Sequence, residues 1–420
     1  MRRTLLSIIL IGFATLHAQV YVEKQTRHRF AQLNVGLDVQ TNTQGNTNYL
    51  DSEGNTKTMV LNSHFRPRLI IGGTHFWGHA DFYIAIPLTN PTIEKENQTI
   101  FCYSGVETGF KFYPLRIEHH KLRPYLGVAL TGYYLEQHNK NFVYGNGPEL
   151  STSAFPVLAG CTFNYKSHLL ELGLVWNYKN KQEYYISRET KSSISTPPLY
   201  FQLGYKYMLE TTLSAERDWE SGRTQKITIE KAEKKELNDF YLGAGISAAF
   251  CLQESSYNQN IRPYIYKYSG ALLADVSLGY YFHKPDLNIG LSYRAYSDGT
   301  DSYGALQKTK RKSLAVECSK FLFDYHGFVP FIGPSISYEQ LSFEEEFEQV
   351  QTQQVSNNQM AYGILFGWDI RPNRLQCLLL RTNLRWYPKI NLNLEGGQSI
   401  SFSTLEFNFI QLVVYPGRMF

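Results

Sequence analysis

The chain repeats itself. Phe82-Tyr-Ile-Ala-Ile-Pro-Leu88 returns as Leu287-Asn-Ile-Gly-Leu-Ser-Tyr293, and Arg123-Pro-Tyr-Leu-Gly127 returns as Val329-Pro-Phe-Ile-Gly333. Ala154–Gly160 and Leu199–Leu203 have counterparts at Ala361–Gly367 and Leu405–Phe409, in the same order and all about 206 residues on. Solenoid units repeat every ~20–50 residues, so this longer period marks a duplicated module. Within it, apolar and polar residues alternate. Leu199, Phe201, Leu203, Tyr205, Tyr207 and Leu209 share one face, against Tyr200, Gln202, Gly204, Lys206 and Met208 on the other. A period of two over ten residues is a strand long enough to cross a bilayer at a tilt.

Export is expected from the N-terminus. Met1-Arg-Arg-Thr, the apolar run Leu5–Phe13 and the small Ala18 have the build of a signal peptide over 1–18, cut before Gln19. Beyond it no apolar run could form a membrane helix, and mean hydropathy is −0.32. An integral protein of this composition must be a closed barrel, because backbone polar groups in lipid need partners within the protein. Aromatics at 15%, with 31 Tyr, suit the girdles of such a barrel. Formal charge falls from +4 to +2 once Arg2 and Arg3 leave, which gives no reason to expect a nucleic-acid partner. The five cysteines (Cys102, Cys161, Cys251, Cys318, Cys377) are scattered without a C-x-x-C pair, so no disulfide framework, metal site or cofactor is expected.

The alternation predicts strands over 29–40, 65–76, 80–89, 99–113, 123–136, 154–165, 168–178 and 198–209. The second half gives 239–251, 270–282, 286–297, 312–324, 328–342, 360–371, 374–387 and 403–415. Short turns such as Lys166-Ser167 alternate with long polar loops over 41–64, 90–98, 137–153, 179–197, 252–269, 298–311, 343–359 and 388–402. A soluble sandwich has no reason to gather its long connections at one end; a membrane barrel does. Glycines on the polar face (Gly127, Gly173, Gly204, Gly290, Gly333) also suit a crowded interior.

Arg123-Pro-Tyr-Leu-Gly-Val-Ala-Leu-Thr-Gly-Tyr-Tyr134 and the strand Leu199–Leu209 carry a resemblance. Each half resembles an eight-stranded outer-membrane barrel repeat of the OmpA/OmpX/OmpW type. The resemblance implies an outer-membrane location with both termini in the periplasm. Implied contacts are outer-membrane lipid, lipopolysaccharide and the barrel-assembly machinery, whose terminal aromatic signal Phe420 resembles in part.

The expected layout is a signal peptide at 1–18, a first eight-strand repeat at 19–210, a periplasmic linker at 211–238 and a second repeat at 239–420. The linker is also the candidate docking segment for a periplasmic partner. The favoured architecture is one antiparallel transmembrane β-barrel of sixteen strands, since sixteen leave a water-filled lumen and eight are filled by side chains. Two tandem eight-stranded barrels are the alternative. Lumen-lining candidates are Arg66, Arg68, Glu107, Lys111, Glu171, Lys206, Arg294, Glu317, Arg381 and Arg385, with Asp38, Asp369 and Glu406. Arg66, Arg68, Arg294 and Arg385 lie toward the outer end, where a ring of arginines would favour anions. No His stands near a Ser or carboxylate in a catalytic arrangement, so an enzyme is the least supported class. A porin-like channel for small polar solutes is expected first, and a structural or binding barrel, such as a subunit of a secretion or surface assembly, second.

Overall fold

The computed structural model describes residues 32–419 apart from 52, 76–77, 91, 96–97, 116–119, 140–146, 148, 211–229, 232, 235, 266–270, 324–327, 371–377 and 389. The expected signal peptide, Phe420 and most of the expected linker lie outside the described residues.

The first half runs β1 (Gln32–Asn42), β2 (Gly45–Leu50), β3 (Thr56–Leu61), β4 (Phe65–His75), β5 (Ala80–Pro87), β6 (Thr92–Lys95) and β7 (Gln98–Phe112). It continues with β8 (Leu122–Asn139), β9 (Glu149–Ala154), β10 (Val157–Tyr165), β11 (His168–Trp176), β12 (Lys181–Tyr185), β13 (Lys191–Ser195) and β14 (Leu199–Glu210). In the second half come β15 (Asp239–Cys251), helix α1 (Ser256–Ile261), β16 (Ala271–Phe282), β17 (Leu287–Ser302), β18 (Ala305–Phe321) and β19 (Phe328–Phe347). The chain ends through β20 (Val350–Ile370), β21 (Leu378–Tyr387), β22 (Asn391–Asn393), β23 (Ser399–Ser401) and β24 (Thr404–Val414).

Antiparallel ladders join β1, β4, β5, β7, β8, β10, β11 and β14 in that order, and β14 returns to β1 with Leu37 opposite Tyr205. The second half closes as β15-β16-β17-β18-β19-β20-β21-β24, with Ala244 opposite Leu412. The first ring is the less regular, with a break in the β7–β8 ladder between Ser104 and Glu107. The sixteen-strand barrel is therefore not formed: β14 pairs with β1 rather than β15, and the strand pairing is that of two eight-stranded rings.

Side-chain size explains the narrow closure. Inward glycines take inward tyrosines from nearby strands: a Cβ on Gly109 would fall within the Tyr83 ring, and one on Gly290 would overlap the Tyr241 hydroxyl. Such interlocking fills a lumen of eight strands and would leave a gap in one of sixteen. Outward positions are apolar. Leu203 is 65% exposed while its neighbour Gln202 is 3% exposed.

The long connections are not irregular loops. β2, β3, β12 and β13 form a four-stranded sheet at the open end of the first ring. In the second, β17–β20 run on past the apolar belt, whose outward residues Leu314, Val316, Ile332 and Ile336 give way to Lys308, Lys310, Gln340 and Glu344. α1 and the chain from Ile390 to Phe402 pack on the inner face of this extension, around Leu341, Phe343 and Tyr387. Alternation of polar with polar residues hides such strands from a search for apolar periodicity.

The halves touch at two heights. Phe82 and Trp368 face each other with ring centroids 6.0 Å apart. At the open end Arg188 donates to the Tyr303 carbonyl (3.0 and 2.6 Å) and pairs with Glu348 at 2.8 Å. Leu203→Arg, which puts a charge into the belt, should cost about 2–4 kcal/mol, whereas Lys308→Ala above the belt should change stability by less than ~0.5 kcal/mol. Urea titration of the refolded protein checks the contrast.

Candidate functional site: two charged lumens and an outer sheet

In the first ring, cross-strand register sets the pairs. Asp38 lies directly opposite Arg68, and Asp81 opposite Lys111. Arg68 forks onto Asp38 through Nε (2.8 Å) and Nη2 (2.6 Å), and its Nη1 reaches Glu107 at 3.0 Å. The Tyr83 hydroxyl donates to the same Glu107 oxygen at 2.8 Å. Lys111 binds Glu171, which also accepts from Tyr125 and Gln202, each at 3.0 Å. Lys206 holds Asp81 at 2.8 Å and Glu171 at 3.2 Å. The Lys111–Glu171 and Lys206–Asp81 contacts join strands three steps apart around the ring, so they cross the lumen rather than follow its wall. Arg66, at the open end, stacks 5.8 Å from the Tyr200 ring centroid and meets His64 at 3.3 Å.

A longer chain of charges crosses the second ring. Arg385 donates to Asp275 (2.6 Å) and Glu317 (2.6 and 3.2 Å). Arg294 meets Glu317 at 3.0 Å, Glu406 at 2.7 Å and the Tyr387 hydroxyl at 2.7 Å. Arg311 forks onto Glu339 (2.7 and 2.9 Å) and reaches Glu406 at 2.5 Å. The Arg294–Tyr387 and Arg311–Glu406 contacts join strands on opposite sides of the ring. Nearer the short-turn end, Arg381 forks onto Asp369 at 2.7 and 3.0 Å and its guanidinium faces the Phe331 ring at 5.1 Å.

Of the ten lumen candidates, Arg68, Glu107, Lys111, Glu171 and Lys206 meet in one network, while Arg294, Glu317 and Arg385 meet in another. Arg381 pairs apart from both with Asp369, and Arg66 stands at the rim. The anion-favouring arginine ring is not formed. Arg66 and Arg68 belong to one ring and Arg294 and Arg385 to the other, and a narrow lumen brings carboxylates onto Arg68, Arg294 and Arg385. Sequence reasoning missed Asp81, Asp275, Arg311 and Glu339, all nearly or fully buried. Asp275 and Glu339 share strand parity with other inward residues and could have been found that way; Arg311 fell in a presumed loop.

These side chains fill both lumens at mid-height. An isolated charge in such a place is very unfavourable, and only dense pairing makes it tolerable. A closed antiparallel ring with an apolar outside and a charged, hydrogen-bonded inside is the build of an outer-membrane β-barrel. The second half of this chain has it, and the first half has the same cyclic pairing and charged inside in a less regular ring.

No protein-family model matches the chain, and no curated protein matches it in sequence. Among solved structures, Neisserial surface protein A is similar over 42% of this chain and 96% of its own, at 15% identity and a TM-score of 0.30. Ail, the attachment invasion locus protein of Yersinia pestis, covers the same shares at 11% identity and a TM-score of 0.26. The Pseudomonas putida toluene transporter TodX is similar over 91% of this chain and 88% of its own, at 9% identity and a TM-score of 0.18. Scores this low carry no function from those proteins to this one.

Two predictions follow from the charges. Glu317→Gln leaves Arg385 and Arg294 short of a buried partner and should lower the stability of the second ring by about 3–5 kcal/mol. Cysteine reporters in each ring should show the first unfolding at its usual urea concentration. Above the belt, burial pushes the Asp298 carboxyl up to about 6, against the lowering effect of the Gly299 N–H it accepts. Its folded value thus exceeds its unfolded one. The stabilising contribution is full below ~4 and is lost as pH rises through about 6. Asp298→Asn should flatten that part of the stability profile relative to the parent.

Proposed function

We propose that this protein is a twin-barrel outer-membrane protein of the structural or binding kind, not an enzyme. Its two filled barrels act as rigid membrane stalks for the sheets at their long-connection end. The lumen-crossing contacts of Arg294 with Tyr387 and Arg311 with Glu406 carry this reading, because they occupy the path a solute would take. The asymmetry of the connections supports an orientation with the sheets outside the cell. Both termini and residues 211–238 then face the periplasm, where the linker could receive a periplasmic partner. Lipopolysaccharide would meet the outer rim, and the barrel-assembly machinery would insert the chain.

A porin-like channel for small polar solutes needs these networks to part. Single-channel recording of the refolded protein decides between the two. The stalk reading expects silence, and a stable ohmic open state would overturn it. Sidedness is tested separately. An epitope inserted at the exposed Gly54 turn should be detected on intact cells, and one at Arg223 only after permeabilisation. Detection of Arg223 on intact cells would reverse the orientation.

A further inference from the structure

The four-stranded extension β17–β20 has two edges, and they differ. Pairing of β17 with β16 stops at Ala295, and beyond it β17 approaches β9 of the first ring. The hairpin tips of this sheet are clasped by Arg188, through the Tyr303 carbonyl and Glu348. The edge on that side is therefore attended by the other half of the protein. On the far side, β20 pairs with β19 over its whole length, Val350 to Ile370, but with β21 only from Ile364 to Ile370. Gln359 reaches the Asn391 carbonyl through Nε2 at 2.9 Å. Among the described residues, Val350–Asn358 above it is ladder-paired on one side alone.

That stretch has little of the usual protection. Edge strands are normally blunted by charge, proline, a bulge or a covering segment, since their unpaired N–H and C=O groups invite another strand. Val350-Gln-Thr-Gln-Gln-Val-Ser-Asn-Asn358 holds no charged residue and no proline, and most of it is exposed, with Gln353 and Val355 half-buried and Val355 packed against the inner cluster around Phe343. Its one bulge among the described residues is at Thr352, left unpaired between Gln351 opposite Glu346 and Gln353 opposite Glu345, so the edge runs unbroken from Gln353 to Asn358. The Asn358 N–H is taken up by the Asn357 side chain at 2.8 Å, a backbone donor satisfied by its own neighbour.

We propose that the Val350–Asn358 edge of β20 is a docking site for an extended segment of a separate exported polypeptide, which adds to the outer sheet as an antiparallel strand. The inference rests on the stalk reading and names the partner chemistry of its binding surface. The main chain supplies the affinity, and side chains at alternate positions supply selection. Those side chains are amides and hydroxyls (Gln351, Gln353, Gln354, Ser356, Asn357, Asn358), which pair best with Ser, Thr, Asn and Gln across the strand. The exposed Glu346 at the tip disfavours an acidic segment. A second copy of this chain is the poorer occupant. Two copies in one membrane carry β20 in the same direction, and antiparallel pairing would need one of them inverted.

The probe is a fluorescent ten-residue peptide of alternating Thr and Gln, capped at both ends, titrated onto the full chain in lipid nanodiscs. Saturable binding is expected, with slowed amide exchange across 350–358. Methylating every peptide nitrogen, which removes the donors from both of its edges, should weaken binding at least tenfold. The double variant Gln354→Lys/Ser356→Lys should do the same, with normal heat-modifiable migration as its folding control. Lys308→Ala, on the same extension but away from the edge, should bind like the parent. The proposal is overturned if the parent does not bind, or if the methylated peptide or the lysine variant binds equally well. Protection of 350–358 before any peptide is added, together with dimers of the full chain, would overturn the separate partner. A negative result leaves the stalk reading intact, because conductance decides that one.

Discussion

Charge neutralisation in a narrow lumen crossed by side chains is the constraint on which the rest depends. A ring of eight strands leaves room for side chains and little else. Every charge placed inward must find its counter-charge within a few ångströms. In the second ring that requirement links Asp275, Arg385, Glu317, Arg294, Glu406, Arg311 and Glu339 into one chain running from wall to wall. Breaking one link leaves a buried ion uncompensated, which costs far more than a surface pair. The network therefore fixes register as well as stability: a slip by one residue would turn every inward charge toward lipid.

On the proposed stalk reading, the same constraint puts the working surface at the end of the barrels rather than inside them. With the lumens occupied, the groups left free to meet other molecules are on the ordered sheets beyond the apolar belt. In the second half that sheet is built of barrel strands continuing outward, so a rigid wall below holds a rigid edge above; in the first half β2, β3, β12 and β13 form a separate sheet. Arg188, reaching from the first half into the turns at Tyr303 and Glu348, ties the two extensions together where leverage on them is greatest.

Much of the wall was legible in the sequence, because each strand has one face in lipid and alternation there is strong. The reading of 239–251 coincides with β15, and Leu203 and Gln202 fall on the faces that their polarity indicates. Ring closure was not legible. Whether β14 meets β1 or β15 depends on how inward Tyr and Gly interlock across strands distant in sequence, as Tyr241 does over Gly290, and alternation is the same either way. The outer extensions were missed for another reason. Strands 305–312 and 350–359 have polar residues on both faces, and their turns at Tyr303-Gly304 and Glu348-Gln349 take positive φ without an Asn-Gly signal. Arg311 was lost with them, and with it the link that joins Glu339 to Glu406.

Separate closure of the two halves is the central claim, and cross-linking the full-length protein in membranes tests it most directly. In a background without the native cysteines, one cysteine replaces Tyr205 on the last strand of the first half. A second replaces either Leu37 on β1 or one of Leu242, Ala244 and Ile246 on β15. The account predicts rapid cross-linking of positions 205 and 37, which are direct partners in the β1–β14 ladder, and none to the β15 positions. Cross-linking of 205 to β15, with position 37 left free, would mean a single sixteen-stranded ring and would contradict it.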